Sequence, residues 1–518
     1  MSVRRGRLDR MTSSAPAATS TSGLPDDYRP WPALWAMVIG FFMILLDNTI
    51  VSVATPDIIR ELRTDFTNGI WVTSAYLLAY AVPLLITGRL GDRFGPKNVY
   101  LVGLVIFTLA SLWCGLTGSI EGLIIARVVQ GLGAALMTPQ TMAVITRTFP
   151  AAKRGSAMAL WGATAGVATL VGPILGGVLV DLAGWEWIFF INVPVGIIGF
   201  VLAVRLVPTL PTHTHSFDLV GVALSAAGMF LLVFGIQEGE RYDWGQIDGF
   251  LSVPLLIAAG VAVLGLFFWW QTRVGSEPLV PLSLFRDRNF AVANIGIALV
   301  SAAITAMAPP FMLYAQGARG WSPIQAGLFM LPMAAVLMVL SPFVGRLVDT
   351  VHPRAITLVG FSTATVAMAW TGLLIDVDTP AWQLLLPMAL FGVSNACLWA
   401  PHGATATRNL PMSAAGAGAG VYNTTRQVAA ALGSAAIASL IGARLAAGGL
   451  EGGAESFQAA GSSMPPQIQA PFAQAMSEAY WLPVACFAVG IVVVMFFRAP
   501  QHDREPVVDT EVVVPPAA

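Results

Sequence analysis

The sequence predicts an all-α integral membrane protein with fourteen transmembrane helices, arranged as two six-helix bundles with two further helices inserted between them. Three observations predict this fold: the composition, the apolar runs and the distribution of Lys and Arg. The 518 residues are 56% hydrophobic and only 11% charged, whereas soluble globular chains carry about 25% charged residues. Most of the surface is therefore expected to face lipid.

Fourteen apolar runs approach the roughly 20 residues that a helix needs to cross a hydrocarbon core about 30 Å thick. A helix is favoured because lipid offers no partner to an unpaired backbone group. The seventh and eighth runs are the least certain spans, since packed hairpins are an alternative there. In chain order the runs are Leu34–Ala54, Ile70–Thr87, Val99–Leu116, Leu123–Ile145, Ala157–Leu179, Trp187–Val204, Leu219–Ile236, Phe250–Trp270, Phe290–Tyr314, Ile324–Val344, Ile356–Ile375, Trp382–Pro401, Ala415–Leu440 and Trp481–Phe497.

The distribution of Lys and Arg predicts the orientation. If the N-terminus is cytoplasmic, 20 of the 27 Lys and Arg fall in inner loops and tails and five fall outside, while Arg127 and Arg426 lie within runs. Cytoplasmic loops carry an excess of basic residues. The bias predicts a multi-pass protein of the plasma (cytoplasmic) membrane with both termini in the cytoplasm.

An internal repeat divides the chain. Gly88-Arg89-Leu90-Gly91-Asp92 follows the second run, and Gly345-Arg346-Leu347-Val348-Asp349 follows the second run of the last six. Two bundles in the same orientation are typical of rocking transporters built from parallel repeats. The predicted regions are a disordered cytoplasmic tail (1–30), a first half (31–206), an inserted helix pair (207–275), a second half (276–498) and a cytoplasmic C-terminal tail (499–518).

The repeated loop is predicted to act as a latch between the halves. Its small residues allow close approach of helices, and Asp92, Arg93 and Lys97 are expected to form ion pairs at the cytoplasmic surface. The alternative is a basic inner loop with an ordinary turn. The second copy of the sequence favours the latch over this alternative. The latch residues are Gly88, Asp92, Arg93, Gly95 and Lys97 in the first copy, and Gly345, Arg346 and Asp349 in the second.

Two embedded charges in the first half predict a proton-coupling site. Asp47 lies 13 residues past Leu34, about 20 Å from the inner side, and Arg127 lies 4 residues past Leu123, roughly 6 Å from the outer side. In a core of about 30 Å these depths differ by only ~4 Å. Burial disfavours a charged carboxylate and a neighbouring arginine favours it, so Asp47 can bind a proton in one state and release it in another. A permanent structural ion pair is the alternative.

The fifth run is predicted to be a tightly packed, bendable helix that seals the interface between the halves. Small residues let helices approach closely, and a proline frees a backbone carbonyl and can kink a helix. Generic membrane packing explains any single glycine but is a weaker explanation for the whole set. The set is Gly162, Gly166, Gly172, Pro173, Gly176 and Gly177.

Arg426 is the only charge embedded in the second half, whose runs contain no acid in their interiors. Backbone carbonyls, Asn395, Gln427 or an aqueous cavity are its candidate surroundings, so a substrate-path role and structural anchoring both stay open. Without a buried acid, the site is expected to favour neutral, zwitterionic or singly charged amphiphiles over dications. His402, after the twelfth run, is expected at the surface. The candidate substrate path comprises Asn48, Trp161, Asn395, Trp399, Tyr422, Arg426 and Gln427.

Several of these stretches resemble one family. Gly88–Lys97 is similar to the loop signature of the major facilitator superfamily, with Pro96 in place of a second basic residue. The stretch that begins Leu46-Asp47-Asn48-Thr49 resembles the first-span motif of its fourteen-span drug:proton antiporters. Arg127–Ala134 and the fifth-run glycines resemble the fourth-span and antiporter motifs. Trp187–Pro194 and Asn423–Gln427 also resemble exporters of the EmrB and QacA type.

This resemblance implies the major facilitator fold and a proton-coupled antiporter that exports amphiphilic drugs or toxic or secondary metabolites by alternating access. The proton gradient would be the energy source, with no cofactor, and the protein would work as a monomer. Its partners would be a small amphiphilic substrate, protons and the lipid bilayer, with no nucleic acid. The sequence leaves open whether an adaptor or outer-membrane partner exists.

Two other classes fit less well. A sugar or nutrient symporter would share the fold and the latch but lack the fifth-run glycines and the central pair. A membrane enzyme would need paired carboxylates, a nucleophile or a metal-ligand cluster, and the five histidines form no such cluster. No phosphate-binding loop pattern is present. No catalytic residue and no metal site are therefore predicted.

Overall fold

The computed structural model describes residues 28–64, 66–150, 153–212, 218–239, 241–275, 278–450 and 464–498. Almost all of the predicted N-terminal tail and the predicted C-terminal tail after residue 498 lie outside these residues. The helices of the first half are α1 (Pro30–Glu61), α2 (Phe66–Ala81), α3 (Leu84–Phe94), α4 (Pro96–Leu116), α5 (Ile120–Thr148), α6 (Arg154–Ala183), α7 (Trp187–Phe190) and α8 (Asn192–Leu206).

Proline and glycine set the breaks around the first loop. Pro83 directly precedes α3, and the axes of the apolar parts of α2 and α3 differ by 47° there, because proline cannot donate a helical hydrogen bond. Gly95 separates α3 from α4 with φ of +85°, a backbone conformation that favours glycine. Pro96 then occupies the first turn of α4, where its fixed φ suits a helix start.

The inserted pair consists of α9 (Leu219–Gln237) and α10 (Val253–Arg273), joined by a short hairpin of β1 (Gln246–Asp248) and β2 (Leu251–Ser252). Asp218 caps the start of α9 and also accepts hydrogen bonds from Trp270 at 2.9 Å and Gln271 at 2.7 Å. The eighth run was predicted to begin at Phe250, but α10 begins at Val253 since the preceding residues form the hairpin. α9 packs on α2.

The helices of the second half begin after a 3-10 turn at Leu282–Arg286. They are α11 (Arg288–Leu313), followed by a π-turn (Tyr314–Ala318), α12 (Pro323–Leu328), α13 (Leu331–Thr350), α14 (Pro353–Leu374), α15 (Ala381–Arg408), α16 (Ala415–Ala447), α17 (Pro466–Ala479) and α18 (Trp481–Val494).

The all-α membrane fold is confirmed. Among the described residues, twelve helical segments are long and apolar enough to cross a membrane, and the bent pair α2–α3 makes a thirteenth. The fifth predicted run lies on α6, which is 30 residues long. The structure is thus compatible with fourteen spans, and that number stays a prediction.

The two halves meet mainly through α6 and α16, which carry the fifth predicted run of each half. α6 of the first half packs against α13 and α15 of the second, and α16 of the second half packs against α3 and α5 of the first. α16 also contacts α9 of the inserted pair. Each half therefore contributes one long helix to the surface of the other, and the sites described below lie on or beside these contacts.

Candidate functional site

A buried ion pair lies in the middle of the first half. Nη1 of Arg127 on α5 lies 2.5 Å from Oδ2 of Asp47 on α1, and both residues are 0% exposed. Nε of Arg127 donates to the carbonyl oxygen of Val72 at 3.0 Å. The guanidinium carbon lies 4.0 Å from the centre of the Tyr76 ring, which is a cation–π contact. The structure thus places the two embedded charges of the first half together.

Three further polar side chains complete this cluster. Gln130 donates to Oδ1 of Asp47 at 2.8 Å and to Ser111 at 2.7 Å, while its own oxygen accepts from Arg127 at 2.6 Å. Asn192 donates to the same Oδ1 at 3.0 Å. The sequence analysis did not select these three residues, although Gln130 lies three positions after Arg127 and hence on the same face of a helix.

The chemistry of this Asp47 cluster (Asp47, Ser111, Arg127, Gln130 and Asn192) follows from the hydrogen-bond donors that it contains. The carboxylate receives an arginine and two amides, and none of its neighbours is exposed by more than 1%. Protonation would remove the charge that holds these donors on α5 and α8. The arrangement can therefore couple a proton to a rearrangement of helices, or serve as a permanent pair.

The first copy of the latch joins the two halves through a carboxylate. Asp92, at 0% exposure, accepts the backbone N–H groups of Gly416 and Ala417 at 2.9 Å each, in the first turn of α16. Arg147 donates to Oδ1 of Asp92 at 2.5 Å, and Arg89 lies 3.9 Å from Oδ2. A carboxylate at a helix N-terminus is stabilised by unpaired N–H groups and by the helix dipole.

The second copy makes the reciprocal contact. Asp349, at the end of α13, accepts the backbone N–H groups of Gly155 at 2.7 Å and Ser156 at 3.2 Å, in the first turn of α6. The hydroxyl of Ser156 adds a third bond at 2.7 Å. The repeat seen in the sequence is therefore a repeat of contacts, each made from one half to the other.

An arginine beside the second contact was missed by the sequence analysis. Arg154, the first residue of α6, donates to the carbonyl oxygens of Thr407 at 2.8 Å and Arg408 at 3.2 Å, at the end of α15 in the second half. It also donates to Thr146 at 2.5 Å and Phe149 at 3.2 Å in its own half. One guanidinium thus joins the ends of three helices.

Two pairs of glycines let these contacts close. A Cβ on Gly88 would collide with the carbonyl oxygen of Gly416, and a Cβ on Gly345 would lie 3.1 Å from the Cα of Ser156 and collide with Ala159. A Cβ on Gly155 would lie 2.8 Å from the carbonyl oxygen of Gly345. The first glycine of each copy is thus required by backbone-to-backbone packing.

The predicted ion pair of Lys97 is wrong for the described residues. Lys97 instead donates to the carbonyl oxygen of Val204 at 2.7 Å, and Arg346 is exposed and pairs with no described carboxylate. Arg93 lies 5.3 Å from the ring centre of Phe94. The basic residue that hydrogen-bonds to Asp92 is Arg147 of α5, with Arg89 of the loop 3.9 Å away, because Asp92 points into the interface.

The glycines of α6 face several neighbours. Two of them face the second half: a Cβ on Gly162 would lie 2.9 Å from the Cβ of Trp399, and a Cβ on Gly166 would collide with Leu337. The other two face α1: a Cβ on Gly172 would collide with Thr49, and a Cβ on Gly176 would lie 2.8 Å from Ile50. Gly177 was predicted to pack in the same way, but no atom lies within 4 Å of its added Cβ. Pro173 lies within α6.

Most of the predicted substrate path lies around Arg426. Its Nη2 donates to the hydroxyl of Tyr80 at 3.4 Å, and its guanidinium carbon lies 5.5 Å from the Trp161 ring centre and 6.0 Å from that of Trp399. Tyr422 lies one turn before it. The other three predicted members lie less centrally: Asn395 accepts a hydrogen bond from Trp399 at 3.0 Å, and Asn48 and Gln427 are half-buried.

His402 is buried, at 0% exposure, and the expected surface position is wrong. α15 continues to Arg408 rather than ending near Pro401, which carries His402 into the interior. Its Nδ1 lies 2.7 Å from the carbonyl oxygen of Leu398, and its ring centre lies 5.6 Å from that of Phe361.

The sequence model of the Major Facilitator Superfamily matches residues 37–434, which span both latch contacts and the Asp47 cluster. The chain belongs to this superfamily. Its members are transporters, and the resemblance found in the sequence is confirmed. Among the described residues no group of three or more His, Cys, Asp or Glu is placed to hold a metal ion.

Three relatives extend the comparison. The chain is 49% identical to an uncharacterized MFS-type transporter of Mycobacterium tuberculosis over 93% of this chain and 84% of that one. It is 33% identical to the tetracenomycin C resistance and export protein of Streptomyces glaucescens (83% and 79% covered) and 33% identical to the multidrug resistance protein Stp of M. tuberculosis (80% and 76%). The protein is therefore a multi-pass transporter of the multidrug-export type.

Proposed function

We propose that this transporter is a proton-coupled antiporter, which exports amphiphilic drugs or toxic or secondary metabolites by alternating access. The observation that carries the proposal is the burial of Asp47 at membrane depth with Arg127, Gln130 and Asn192 as donors. Ionisable groups inside a membrane are costly and mark ion and proton pathways. The export named for the Streptomyces glaucescens relative supports the direction of transport.

The mechanism couples this cluster to the two latch contacts. We place the latch face on the cytoplasmic side of the plasma membrane, with both termini inside, because of the excess of Lys and Arg there. With Asp92 and Asp349 capping helices of the opposite half, the halves are held together on that face. A proton that reaches Asp47 from outside releases the donors on α5 and α8, the halves rock, and substrate enters from the cytoplasm or inner leaflet.

The test is efflux from proteoliposomes that contain the full chain, with Nile red and pyrenebutyrate as probes. We expect an imposed proton gradient to drive export and an uncoupler to stop it. Asp47→Asn should abolish gradient-driven export while substrate exchange without a gradient continues. Asp181→Asn is the matched control, since Asp181 is exposed at the end of α6. Export that persists undiminished with an uncoupler, or in Asp47→Asn, would contradict proton coupling.

A further inference from the structure

Arg426 places a positive charge near the middle of the membrane, between the two halves. It lies 11 residues into α16, about 17 Å along the helix at 1.5 Å per residue, and it is 6% exposed. Its neighbours come from both halves: Tyr80 on α2 and Trp161 on α6 from the first, and Trp399 on α15 from the second. Rocking of the halves therefore separates the groups that surround this guanidinium.

The charge of Arg426 is compensated neither by a carboxylate, as in two other buried arginines, nor by several carbonyl oxygens, as in Arg154. Arg127 pairs with Asp47 and Arg147 with Asp92, each at 2.5 Å, whereas within the described part of the chain no carboxylate lies at ion-pair distance from Arg426. Its polar contact is the neutral hydroxyl of Tyr80, which itself donates to Thr138 at 3.2 Å. A buried guanidinium without an anion is unfavourable, so an anionic partner would be bound strongly.

Unsatisfied donors accumulate around the same charge. Nε of Arg426, the indole N–H of Trp161 and the hydroxyl of Tyr422 are all buried and have no hydrogen-bond partner. Tyr422 and Arg426 are four residues apart and share a face of α16, and the Trp161 ring lies against the guanidinium and stacks on Phe41 with ring centres 4.7 Å apart. Buried polar groups are normally paired. The missing component is therefore an acceptor.

We propose that the export site takes aromatic amphiphiles with a single negative charge, whose anionic group binds Arg426 while the ring lies beside Trp161 and Trp399. Carboxylates, phenolates and enolates share this chemistry, and a guanidinium binds such oxygens through several N–H groups at once. Indole faces provide the flat apolar surface for the ring. This substrate class rests on the proposed function, but binding to the site does not depend on a proton gradient.

The experiment measures equilibrium binding of three matched probes to the purified full chain by the anisotropy of pyrene fluorescence. The probes are pyrenebutyrate, its primary amide and a pyrenebutyl trimethylammonium, which differ mainly in charge. We expect the anion to bind roughly tenfold to a hundredfold more tightly than the amide, as a charge-assisted hydrogen bond provides. We expect the cation to bind most weakly.

Three variants assign the preference to its residue. Arg426→Gln should remove the preference for the anion and leave amide binding within about twofold, and Arg426→Lys should restore part of it because the charge returns. Arg444→Gln is the matched control, since Arg444 lies on the same helix, half exposed, and pairs with Glu478 at 3.0 Å. That control should bind all probes like the unchanged protein.

Two results would overturn the assignment: equal binding of the three probes to the unchanged protein, or an anion preference that survives in Arg426→Gln. The first result is independent of whether any variant folds. The proposed function fails separately, if export ignores the proton gradient while the anion preference in binding is intact. Conversely, gradient-driven export without an anion preference in binding would support the antiporter mechanism and exclude this substrate class.

Discussion

Asp92 and Asp349 make the same contact in opposite directions across the interface between the halves. Asp92, in the first half, accepts the N–H groups of the second and third residues of α16, and Asp349, in the second half, accepts those of the second and third residues of α6. Both capped helices carry the fifth predicted run of their half. The interface therefore has a twofold arrangement of carboxylates and helix ends, and four backbone hydrogen bonds depend on the latch face being closed.

Removing one of these carboxylates should open the latch face. Asp92→Asn replaces a charged acceptor of two N–H groups, and hydrogen bonds to charged groups contribute about 1.5–3 kcal/mol each. We expect the distance distribution between spin labels at Asn98→Cys and Thr350→Cys, both exposed positions of that face, to shift to longer values. The measurement is double electron–electron resonance on a chain whose native cysteines are replaced by alanine.

Asp287→Asn is the control for that measurement. Asp287 also caps a helix, through the N–H of Phe290 at 2.8 Å, but its second partner, Asn409, belongs to the same half. An equal shift in Asp287→Asn would show that loss of any helix cap on this face opens it. The specific role of the contacts that Asp92 and Asp349 make between the halves would then be contradicted.

The pairing of Arg127 and Asp47 predicts a rescue between substitutions. Arg127→Gln leaves a buried carboxylate without its cation, which costs on the order of 3–5 kcal/mol, so the Tm of the purified protein should fall clearly. Arg127→Gln combined with Asp47→Asn should recover most of that loss, because no unpaired charge remains. A double variant no more stable than the single one would contradict direct coupling of the two residues.

Glycines with and without close neighbours should respond differently to one added methyl group. Gly88→Ala introduces a Cβ that collides with the backbone of Gly416, so we expect overpacking of about 1–3 kcal/mol and reduced transport. Gly177→Ala meets no atom within 4 Å and should change the free energy of unfolding by less than about 0.5 kcal/mol. Thermal unfolding and Nile red efflux measure the effect of each variant. A Gly177→Ala variant with a lower Tm or reduced efflux would contradict the absence of close packing at Gly177.

Arg154 should not tolerate replacement by lysine, although the charge is kept. Its guanidinium reaches four carbonyl oxygens at the ends of two other helices, α5 and α15, whereas an ammonium is a compact charge without the planar fork. We expect Arg154→Lys to lower the Tm and to lengthen the label distance described above. Arg346→Lys, at an exposed position, is the control and should leave both unchanged.

The sequence predicted contacts that follow from position along a helix. The depth of each residue, counted from the membrane surfaces, predicted that Asp47 and Arg127 lie close together. The count is reliable because a helix advances a fixed 1.5 Å per residue. The same argument could have selected Gln130, which lies three residues after Arg127. Fold class followed from composition because lipid imposes helices on any apolar run of sufficient length.

Contacts between helices distant in sequence were not accessible in this way. The pairing of Asp92 with Arg147, and with the start of α16, depends on how helices distant in sequence are packed, which hydropathy does not encode. The position of His402 was wrong for a related reason: a helix end was placed where the apolar run stopped, but α15 continues through polar residues that other helices cover. Arg154 was counted as an inner-loop charge for the same reason.

The reciprocal capping also sets an order for biogenesis. Asp92 and Ala417 are 325 positions apart, and ribosomes add about 5–20 residues per second, so roughly half a minute passes between synthesis of Asp92 and synthesis of the α16 N–H groups that it accepts. During that time Asp92 can pair only with Arg89 and Arg147 of its own half, and the glycine surface of α3 lacks its partner on α16. Insertion of α16 ends this interval, so the last third of translation completes a structure that begins in the first fifth.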